Sequence, residues 1–297
     1  MKLIKNSVWH IPQEPGLLGV YKQIELAGRT AYKSEDKITE DSAKRFVDML
    51  IERNHYRPLE FGTIYLTVPT NIDPEFINFY DRNHWSRINF DDEWYYITTN
   101  ARVIIENERQ DDLKYISEPY FHDLRFTVKV ICSRGIMDEA RTHIAFSHLG
   151  ESTRYCNYSK NKFDNQVTFV MPHWMDIEPG NYSQSYYSPL DDKNHIWKWN
   201  EDRTEHEILT YGKEIDYKYH TILKALADAE YNYFHLLTGE GLPPQDARAV
   251  LPLQTKSELM MCGYLDDWNH FITMRCAVDA HPDMQIIANK IKETLCL

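Results

Sequence analysis

The sequence predicts an α+β fold in which a mixed sheet packs with long helices. Apolar residues alternate with polar residues from Gly62 to Val68 and from Leu124 to Ile131, as they do in half-buried strands. Apolar residues instead recur at helical spacing from Ile38 to Asn54 and from Thr204 to Leu237. Because strand and helix patterns are interspersed and no internal repeat occurs, we expect a single domain over 1–297.

In the N-terminal half, Thr39 or Asp41 can cap the start of the first helix, and the segment His55-Tyr56-Arg57-Pro58 ends it. The further elements predicted there are a strand at 95–106, a helix at 136–149 and a short strand at 166–171.

In the C-terminal half, the segment 176–202 is polar, and we expect it to be an excursion on the protein surface. The long helix that follows ends at Gly239 and Gly241. The remaining predicted elements are a short helix at 243–250, an extended segment at 253–264 and helices at 266–274 and 282–295.

The composition restricts the classes of function. The chain has 297 residues, with 33 Lys and Arg against 45 Asp and Glu, which gives a net charge of −12. Its 42% hydrophobic and 26% charged residues exclude a disordered or fibrous chain. The acidic balance argues against a general binder of duplex DNA, which needs a basic face. A few converging arginines can still bind a small anion within an acidic protein.

Five cysteines, an odd number without a CxxC pair, fit neither a disulfide framework nor a zinc cluster. The first residues, Met1 to Lys5, lack the apolar core of a signal peptide, and no stretch has the ~20 apolar residues of a membrane span. We therefore expect a reduced, cytoplasmic protein that binds neither membranes nor nucleic acid.

The densest polar cluster in the sequence runs from Gly150 to Ser159. The hydroxyls of Ser152 and Thr153 and the guanidinium of Arg154 are groups that converge on phosphates in proteins. The alternative is that the hydroxyls cap a helix end and that Arg154 is a solvated charge.

Glu139 and His143 lie four residues apart and would share a helix face, whereas His148 falls off that face. Too few ligands are therefore close together for a metal, and we expect none; a lone His143 is typical of a hydrogen-bonded structural residue. No GxSxG, GxxxxGK[ST] or GxGxxG sequence occurs, which leaves a hydrolase elbow, a P-loop and a dinucleotide-binding fold unsupported.

Arg248 and Arg275 are each flanked by apolar residues. A charge on a buried face is costly unless it meets an anion or a polar partner. Either these two arginines bind an anionic ligand, or they pair with acids such as Asp266, Asp267 or Asp279.

Four segments in combination resemble the flavin-dependent thymidylate synthases, and the resemblance extends from about Ile24 to Leu295. These segments are IELAGRTAYKS at 24–34, HYRPLE at 55–60, SHLGESTRYCNY at 147–158 and the stretch 247–284.

The resemblance implies an α+β homotetramer with active sites at subunit contacts. It implies methylation of dUMP to dTMP, with methylenetetrahydrofolate as carbon donor and FAD, reduced by NADPH, as hydride carrier. No enzyme cysteine attacks the pyrimidine in this family. Arg275 is implied to be the catalytic residue, because a guanidinium there stabilises charge on the ionised uracil.

The same resemblance implies the ligand contacts. The residues implied to line the nucleotide are Glu139, Ala140, Arg141, Thr142, Gly150, Glu151, Ser152, Thr153, Arg154, Arg248 and Arg275. Those implied to face the flavin are Arg57, Glu60, Thr142, His143, Ile144, Gly150, Tyr264, Asp266 and His270. His55 is implied to lie where the folate and flavin rings stack.

The chain departs from the family in two places. The family's Arg-His-Arg signature reads Thr142-His143-Ile144, and the acid or amide expected two residues before Ser152 is Gly150. Arg141 would point about 100° away around a helix and would not substitute. Each lost charged contact would cost ~1.5–3 kcal/mol of flavin affinity.

Three functions remain open from the sequence. The first is methylation of dUMP with an altered grip on the flavin. The second is hydroxymethylation of dUMP or dCMP, in which water rather than hydride meets the methylene adduct. The third is a flavin-free, nucleotide-binding homologue.

Overall fold

The computed structural model describes residues 1–184, 195–210 and 214–297. Within these ranges the strands form three sheets, and helices pack against them, so the α+β class predicted from the sequence is confirmed. No helix of the described ranges has both the length and the apolar character needed to cross a bilayer.

The sheet that carries most motif residues is antiparallel, with the strand order β2–β6–β12–β7. Its strands are β2 (Ser7–His10), β6 (Arg125–Ser133), β7 (Ser147–Gly150) and β12 (Lys256–Tyr264). One face packs against helices α5 (Arg134–Ala140), α8 (Leu265–Arg275) and α9 (Pro282–Leu295). Trp268 and Phe271 are fully buried there, and burying each aromatic side chain contributes about 1.5–3 kcal/mol.

The opposite face of this sheet packs against helix α1 (Gly16–Tyr32), because alternate strand residues point to opposite sides. Met260 and Cys262 of β12 lie there with Ala27 of α1 and Phe61. This packing brings the C-terminal end of α1 beside the segment that follows β7.

Two further sheets complete the fold. A three-stranded antiparallel sheet, in the order β3–β5–β4, contains β3 (Thr63–Pro69), β4 (Arg87–Phe90) and β5 (Trp94–Asn100). Helices α2 (Ser42–Glu52), α3 (Pro74–Arg82) and α4 (Ala101–Glu106) accompany it. A five-stranded sheet, in the order β11–β10–β9–β1–β8, contains β1 (Lys2–Ile4), β8 (Thr168–Val170), β9 (Gly180–Gln184), β10 (His195–Trp199) and β11 (His206–Thr210).

The structure differs from the prediction of a helix at 136–149. Helix α5 ends at Ala140, and Ser147–Gly150 form β7, which pairs with Leu259 to Cys262 of β12. Sheet pairing satisfies the backbone of a segment whose side-chain spacing alone favours a helix. The strand predicted at 95–106 likewise ends at Asn100, whose side chain accepts a hydrogen bond from Val103 N and caps α4.

The C-terminal half differs in two more places. The helix predicted from 204 begins only at α6 (Tyr217–Phe234), since 206–210 form β11 against β10. The described ends of the predicted surface excursion at 176–202 contain β9 and β10, and Tyr182 and Ile196 of these strands are buried. The part of that excursion at 185–194 lies outside the described residues. Helix α7 (Pro244–Ala247) follows α6.

A buried ion cluster crosses the four-stranded sheet. The carboxylate of Glu258 on β12 lies 2.8 Å from Lys33 Nζ and 2.6 Å from Lys129 Nζ, and it also pairs with Lys256. Burial by itself raises the pKa of Glu258, but the three ammonium groups outweigh burial and lower the pKa to about 2. The cluster therefore stabilises the fold above the ordinary glutamate pKa and loses that contribution as the pH falls towards about 2.

Replacement Glu258→Gln should lower the free energy of unfolding by about 3–5 kcal/mol, because the lysines lose their shared buried partner. Urea unfolding at neutral pH measures this loss. Lys129→Met is the matched control: it leaves Glu258 paired with Lys33 and Lys256, so its midpoint should fall less. A wild-type midpoint for Glu258→Gln would show that the cluster does not stabilise the fold.

Candidate functional site

The backbone of the motif segment after β7 is fixed on both sides. Glu151 N–H donates to the Glu258 carbonyl at 2.7 Å, and Ser152 N–H donates to the Ala31 carbonyl at 2.9 Å. The first bond joins the segment to β12 and the second joins it to the end of α1. The position of Ser152 is therefore set by two separate elements of the fold.

The side chain of Glu151 holds the same segment from the interior. It is buried, its Oε2 accepts a hydrogen bond from Lys256 Nζ at 2.9 Å, and its Oε1 accepts one from Cys156 Sγ at 3.3 Å. Burial, and next Glu151, raise the pKa of the Cys156 thiol, which stays protonated inside the protein. Although the resemblance implied that Glu151 lines the nucleotide, its carboxylate is used within the protein.

A cavity of about 560 Å³ opens beside this segment. The lining residues that the resemblance had implied as ligand contacts are His55, Arg57, Gly150, Ser152 and Arg154. Lining residues that the sequence reasoning missed include Tyr32, Asn54, Tyr56, Arg102 and Tyr155. Segments from 55–60 and 147–158, nearly a hundred residues apart, thus share one cavity.

The charges that line the cavity are all positive. Arg57, Arg102 and Arg154 line it, whereas no carboxylate of the described residues does. Two of these arginines pair with Glu60, which is fully buried, with its Oε1 at 2.7 Å from Arg102 Nη1 and 3.6 Å from Arg57 Nη1. Such a cavity suits an anion, since guanidinium groups bind phosphates and carboxylates through paired N–H groups.

Aromatic rings form another part of the cavity wall. The rings of Tyr32 and Tyr155 lie 5.3 Å apart at a tilt of 53°, and His55 and Tyr56 also line the cavity. Planar side chains of this kind pack against the faces of ligand rings. The cavity therefore matches an anionic group joined to an aromatic ring system.

Gly150 has a packing reason to be glycine. A Cβ atom at this position would lie 2.9 Å from the sulfur of Met137 on α5, closer than real Cβ contacts. The acid or amide that the resemblance leads one to expect here would require the Met137 side chain to move. A glycine at 150 is therefore compatible with the packing of Met137 against this position.

Arg275, at the end of α8, is held by the altered signature segment. Its Nε donates to His143 Nε2 at 2.7 Å, and its Nη2 donates to Thr142 Oγ1 at 3.2 Å and to the Glu139 carbonyl at 3.4 Å. Burial, followed by Arg275, lowers the pKa of His143 to about 4, so the ring is neutral at pH 7 and its Nε2 can accept. Thr142, which the resemblance places at a signature arginine, is thus a partner of Arg275.

Other residues of that segment do not share this arrangement. Because α5 ends at Ala140, which is buried, Arg141 lies at the helix end rather than one step around a continuing helix, and the expected 100° offset does not apply. The side chain of Arg141 is half exposed and lies 3.9 Å from Asp138. Ile144 is 90% exposed.

Arg248 is joined to the motif segment. Its Nη1 donates to Thr153 Oγ1 at 2.6 Å and its Nε donates to the Gln245 carbonyl at 3.1 Å. Within the described residues, the ion pairs of Arg248 and Arg275 with Asp266, Asp267 or Asp279 that the sequence left open do not form. Asp266 and Asp267 pair with Arg87 instead.

The remaining residues implied to face the flavin lie near the start of α8. Tyr264 is buried, and its hydroxyl donates to the Trp85 carbonyl at 2.9 Å. His270 is exposed on α8. The 560 Å³ cavity is not lined by any of these flavin candidates, Tyr264, Asp266 and His270. It is also not lined by Arg248 or Arg275. The described residues also contain no group of three or more His, Cys, Asp or Glu side chains that could hold a metal ion.

The family can now be stated from sequence comparison. The family model for the thymidylate synthase complementing protein, Thy1, matches residues 113–296. The chain belongs to the Thy1 family. The match includes β6, the signature segment, the motif segment after β7 and α8, and it confirms the family predicted from the sequence. No functionally curated protein matches the sequence.

Solved structures with similar folds include enzymes that act on uridylates. PolB from Streptomyces cacaoi, a UMP/dUMP methylase solved with 5-Br dUMP, is 15% identical with a TM-score of 0.40, over 100% of this chain and 92% of that chain. Thymidylate Synthase X (ThyX) from Helicobacter pylori, solved with FAD and dUMP, is 13% identical with a TM-score of 0.38, over 97% and 92%. At these identities and TM-scores, neither structure assigns a ligand or a residue role to this Thy1 chain.

The buried imidazole of His148 on β7 should make the fold sensitive to acid. Burial, then Arg57 and Arg141, lower the pKa of His148 to about 4, below the model-peptide value of 6.5. Between these values the unfolded chain binds a proton that the folded chain does not, so stability falls as the pH decreases. Replacement His148→Gln should remove about 1–2 kcal/mol of the stability lost between about pH 7 and pH 5.

Urea unfolding at both pH values measures this difference. His84→Gln is the control, because His84 is an exposed histidine. Equal pH dependence in the wild type and in His148→Gln would contradict a neutral, buried His148.

Proposed function

We propose that this Thy1 protein is a one-carbon transferase that methylates dUMP to dTMP, with methylenetetrahydrofolate as the carbon donor and FAD, reduced by NADPH, as the hydride source. The observation that carries the proposal is the cavity in which Ser152 and Arg154 of the family motif meet Arg57 and His55. An all-cationic, aromatic-lined cavity is what an anionic pyrimidine nucleotide or a flavin dinucleotide requires.

Arg154 and Ser152 bind the nucleotide phosphate in this proposal. Arg154 is exposed and has no ion-pair partner among the described residues, so its N–H groups are available to a ligand. Ser152 lies on a segment fixed to α1 and β12, which keeps its hydroxyl in place without a ligand. Preorganised donors of this kind lose little entropy when an anion binds.

Arg275 stabilises the ionised uracil ring. Its guanidinium is oriented by a neutral His143 and by Thr142, and it retains N–H groups beyond those contacts. A fixed positive group that faces charge developing on the ring lowers the barrier to reaction. His143 and Thr142 act as positioning residues in this scheme.

We also propose that the active site is completed in a homotetramer. Arg275 and the cavity residues lie in different places of one chain, and a second copy of the chain would bring one set to the other. The apposed copy would supply Arg275 to the nucleotide that Arg154 holds, whereas Arg248 already contacts the motif segment of its own chain through Thr153.

In this proposal the flavin binds in the same cavity. Arg57 and Arg102 would face its diphosphate, and His55, with the neighbouring tyrosines, would face its rings. The reduced flavin supplies the hydride that converts the transferred methylene group to a methyl group. Tyr32 and Tyr155 would exclude water from the rings.

Hydroxymethylation of dUMP or dCMP is the second candidate. The observation that favours it is that Thr142 and Ile144 offer no guanidinium for the flavin, and that Thr142 is joined to Arg275 instead. A flavin held differently would leave the methylene adduct open to water.

Incubation of the purified protein with dUMP, methylenetetrahydrofolate, FAD and NADPH tests the proposal, with mass spectrometry of the nucleotide products. We expect dTMP. A hydroxymethyl nucleotide from dUMP or dCMP would support the second candidate. No product, together with no change in flavin fluorescence on addition of the protein, would support a flavin-free nucleotide-binding homologue and overturn both.

Replacement Arg275→Ala should lower kcat by about 10²–10³-fold, because it removes a preorganised donor to the transition state. Unfolding should change little, since Arg275 ends a surface helix. Steady-state kinetics and thermal melting measure the two effects, and an unchanged kcat would refute the role of Arg275.

Replacement His143→Leu should lower kcat by about 10-fold, because Arg275 loses a hydrogen bond worth about 1–1.5 kcal/mol. His143→Gln, whose amide oxygen can accept the same hydrogen bond, should recover part of the rate. Equal losses of kcat in the two variants would show that His143 does not act through Arg275.

A further inference from the structure

Arg102 lines the cavity although no motif includes it. It lies in the first turn of α4, immediately after the Asn100 cap that ends β5. Its side chain is 30% exposed and reaches the cavity wall near Arg57. The two arginines come from elements 45 residues apart in sequence, and their meeting depends on the tertiary fold.

A single buried carboxylate pairs with both arginines, and it is hydrogen-bonded to Arg102. Glu60 has no exposed side-chain surface, and the same oxygen, Oε1, lies 2.7 Å from Arg102 Nη1 and 3.6 Å from Arg57 Nη1. Its Oε2 is buried without a hydrogen-bond partner among the described residues. Burying a carboxylate that is only half satisfied costs free energy. Glu60 fixes Arg102 by a hydrogen bond and attracts Arg57 at longer range, while Arg57 Nε donates to the His148 carbonyl at 3.2 Å, so both guanidinium groups lie at the same wall.

Arg102 retains donors for a ligand. Its Nη1 donates to Glu60 Oε1 at 2.7 Å. Its Nε lies 2.9 Å from Glu106 Oε2 but is buried without a hydrogen bond, and Nη2 makes none in the part of the chain that the structure describes. A guanidinium carries five N–H donors in one plane, so Arg102 keeps the two N–H groups of Nη2 for a ligand.

The positions at which the family carries its signature arginines offer no such groups. Thr142 is joined to Arg275, and Ile144 is an exposed apolar side chain. Guanidinium groups that could meet a second anionic group are found instead at Arg57 and Arg102.

We propose that Arg57 and Arg102, oriented by Glu60, form a phosphate-binding clamp that takes over the task of the missing signature arginines. The inference rests on the proposed function of the cavity. The ligand group is a phosphate, supplied either by the diphosphate of FAD or by the 5′-phosphate of the pyrimidine nucleotide. Glu60 is a positioning residue, because it acts through the two arginines.

Ligand titrations of Arg102→Gln test the clamp without any turnover. Flavin fluorescence is followed on titration with FAD and with riboflavin, which lacks phosphate, and calorimetry follows dUMP and deoxyuridine. Loss of one charged hydrogen-bonding partner should weaken the phosphate-bearing ligand of a pair by about 10- to 100-fold and leave the phosphate-free ligand unchanged. If only the affinity for FAD falls, the clamp binds the diphosphate of FAD. If only the affinity for dUMP falls, the clamp binds the 5′-phosphate of the nucleotide.

Two further variants serve as controls. Arg109→Gln is matched, since the side chain of Arg109 is 26% exposed and pairs with Asp112, but it does not line the cavity; wild-type affinities are expected. Arg102→Lys keeps the charge and loses the planar fork, so an intermediate affinity is expected, and it replaces Arg102→Gln if that variant fails to fold.

Wild-type affinity of Arg102→Gln for both FAD and dUMP would overturn the clamp. So would equal weakening of FAD and riboflavin, or of dUMP and deoxyuridine, because it would mean that Arg102 shapes the cavity without contacting a phosphate. These results are distinct from failure of the proposed function, which is judged by the products that the wild-type protein forms.

Discussion

Lys256 joins two buried carboxylates, and the position of the motif segment depends on that contact. Its ammonium pairs with Glu151, the first residue of the motif segment after β7. It also pairs with Glu258, which lies two residues further along β12. Lys33 and Lys129 supply the remaining positive charge around Glu258. Removing a partner from a buried charge is destabilising, so the lysines and the two carboxylates stabilise one another. The segment that carries Ser152 and Arg154 is therefore fixed within the protein, by this ionic contact and by the two backbone hydrogen bonds to Glu258 and Ala31.

Glu60 repeats this arrangement on the other side of the cavity. Glu60 lies inside the protein and pairs with arginines at the cavity wall. Glu151 and Glu258 lie inside the protein and pair with Lys256 beneath the motif segment. The net charge of −12 is consequently a poor guide to the site. The acids that matter most for the site are interior, and the charges that meet the cavity are all arginines.

The parts of the fold that were predictable from the sequence are those in which local pattern and tertiary packing agree. The alternation at β6 and the helical spacing of α9 are examples, since both have one apolar face on the same core. The predictions for 206–210 and 147–150 were wrong because pairing at a sheet edge decided the conformation of both segments. The first segment pairs with β10 and the second with β12. Nothing in the neighbouring residues reveals such a pairing.

The residues that line the cavity were also only partly predictable from the sequence. The family resemblance pointed to Arg57, Ser152 and Arg154, because they lie in contiguous motifs. Arg102 was missed, since its partner Glu60 is 42 residues away and 95–106 was interpreted as strand throughout. The buried role of Glu151 was missed as well, because Lys256 lies 105 residues further along the chain. Long-range ion pairs leave no periodic trace in a sequence.

The segment Thr142-His143-Ile144, which the resemblance places at the family's Arg-His-Arg signature, makes contacts of its own with Arg275. Thr142 and His143 each give Arg275 a hydrogen-bond acceptor. An arginine at 142 would instead place a second guanidinium beside the first, and like charges in a half-buried setting repel strongly. A threonine at 142 is thus compatible with a fixed Arg275. The positive charge at the cavity comes from other elements of the fold, since Arg57, Arg102 and Arg154 line it and Glu60 is buried beside the first two.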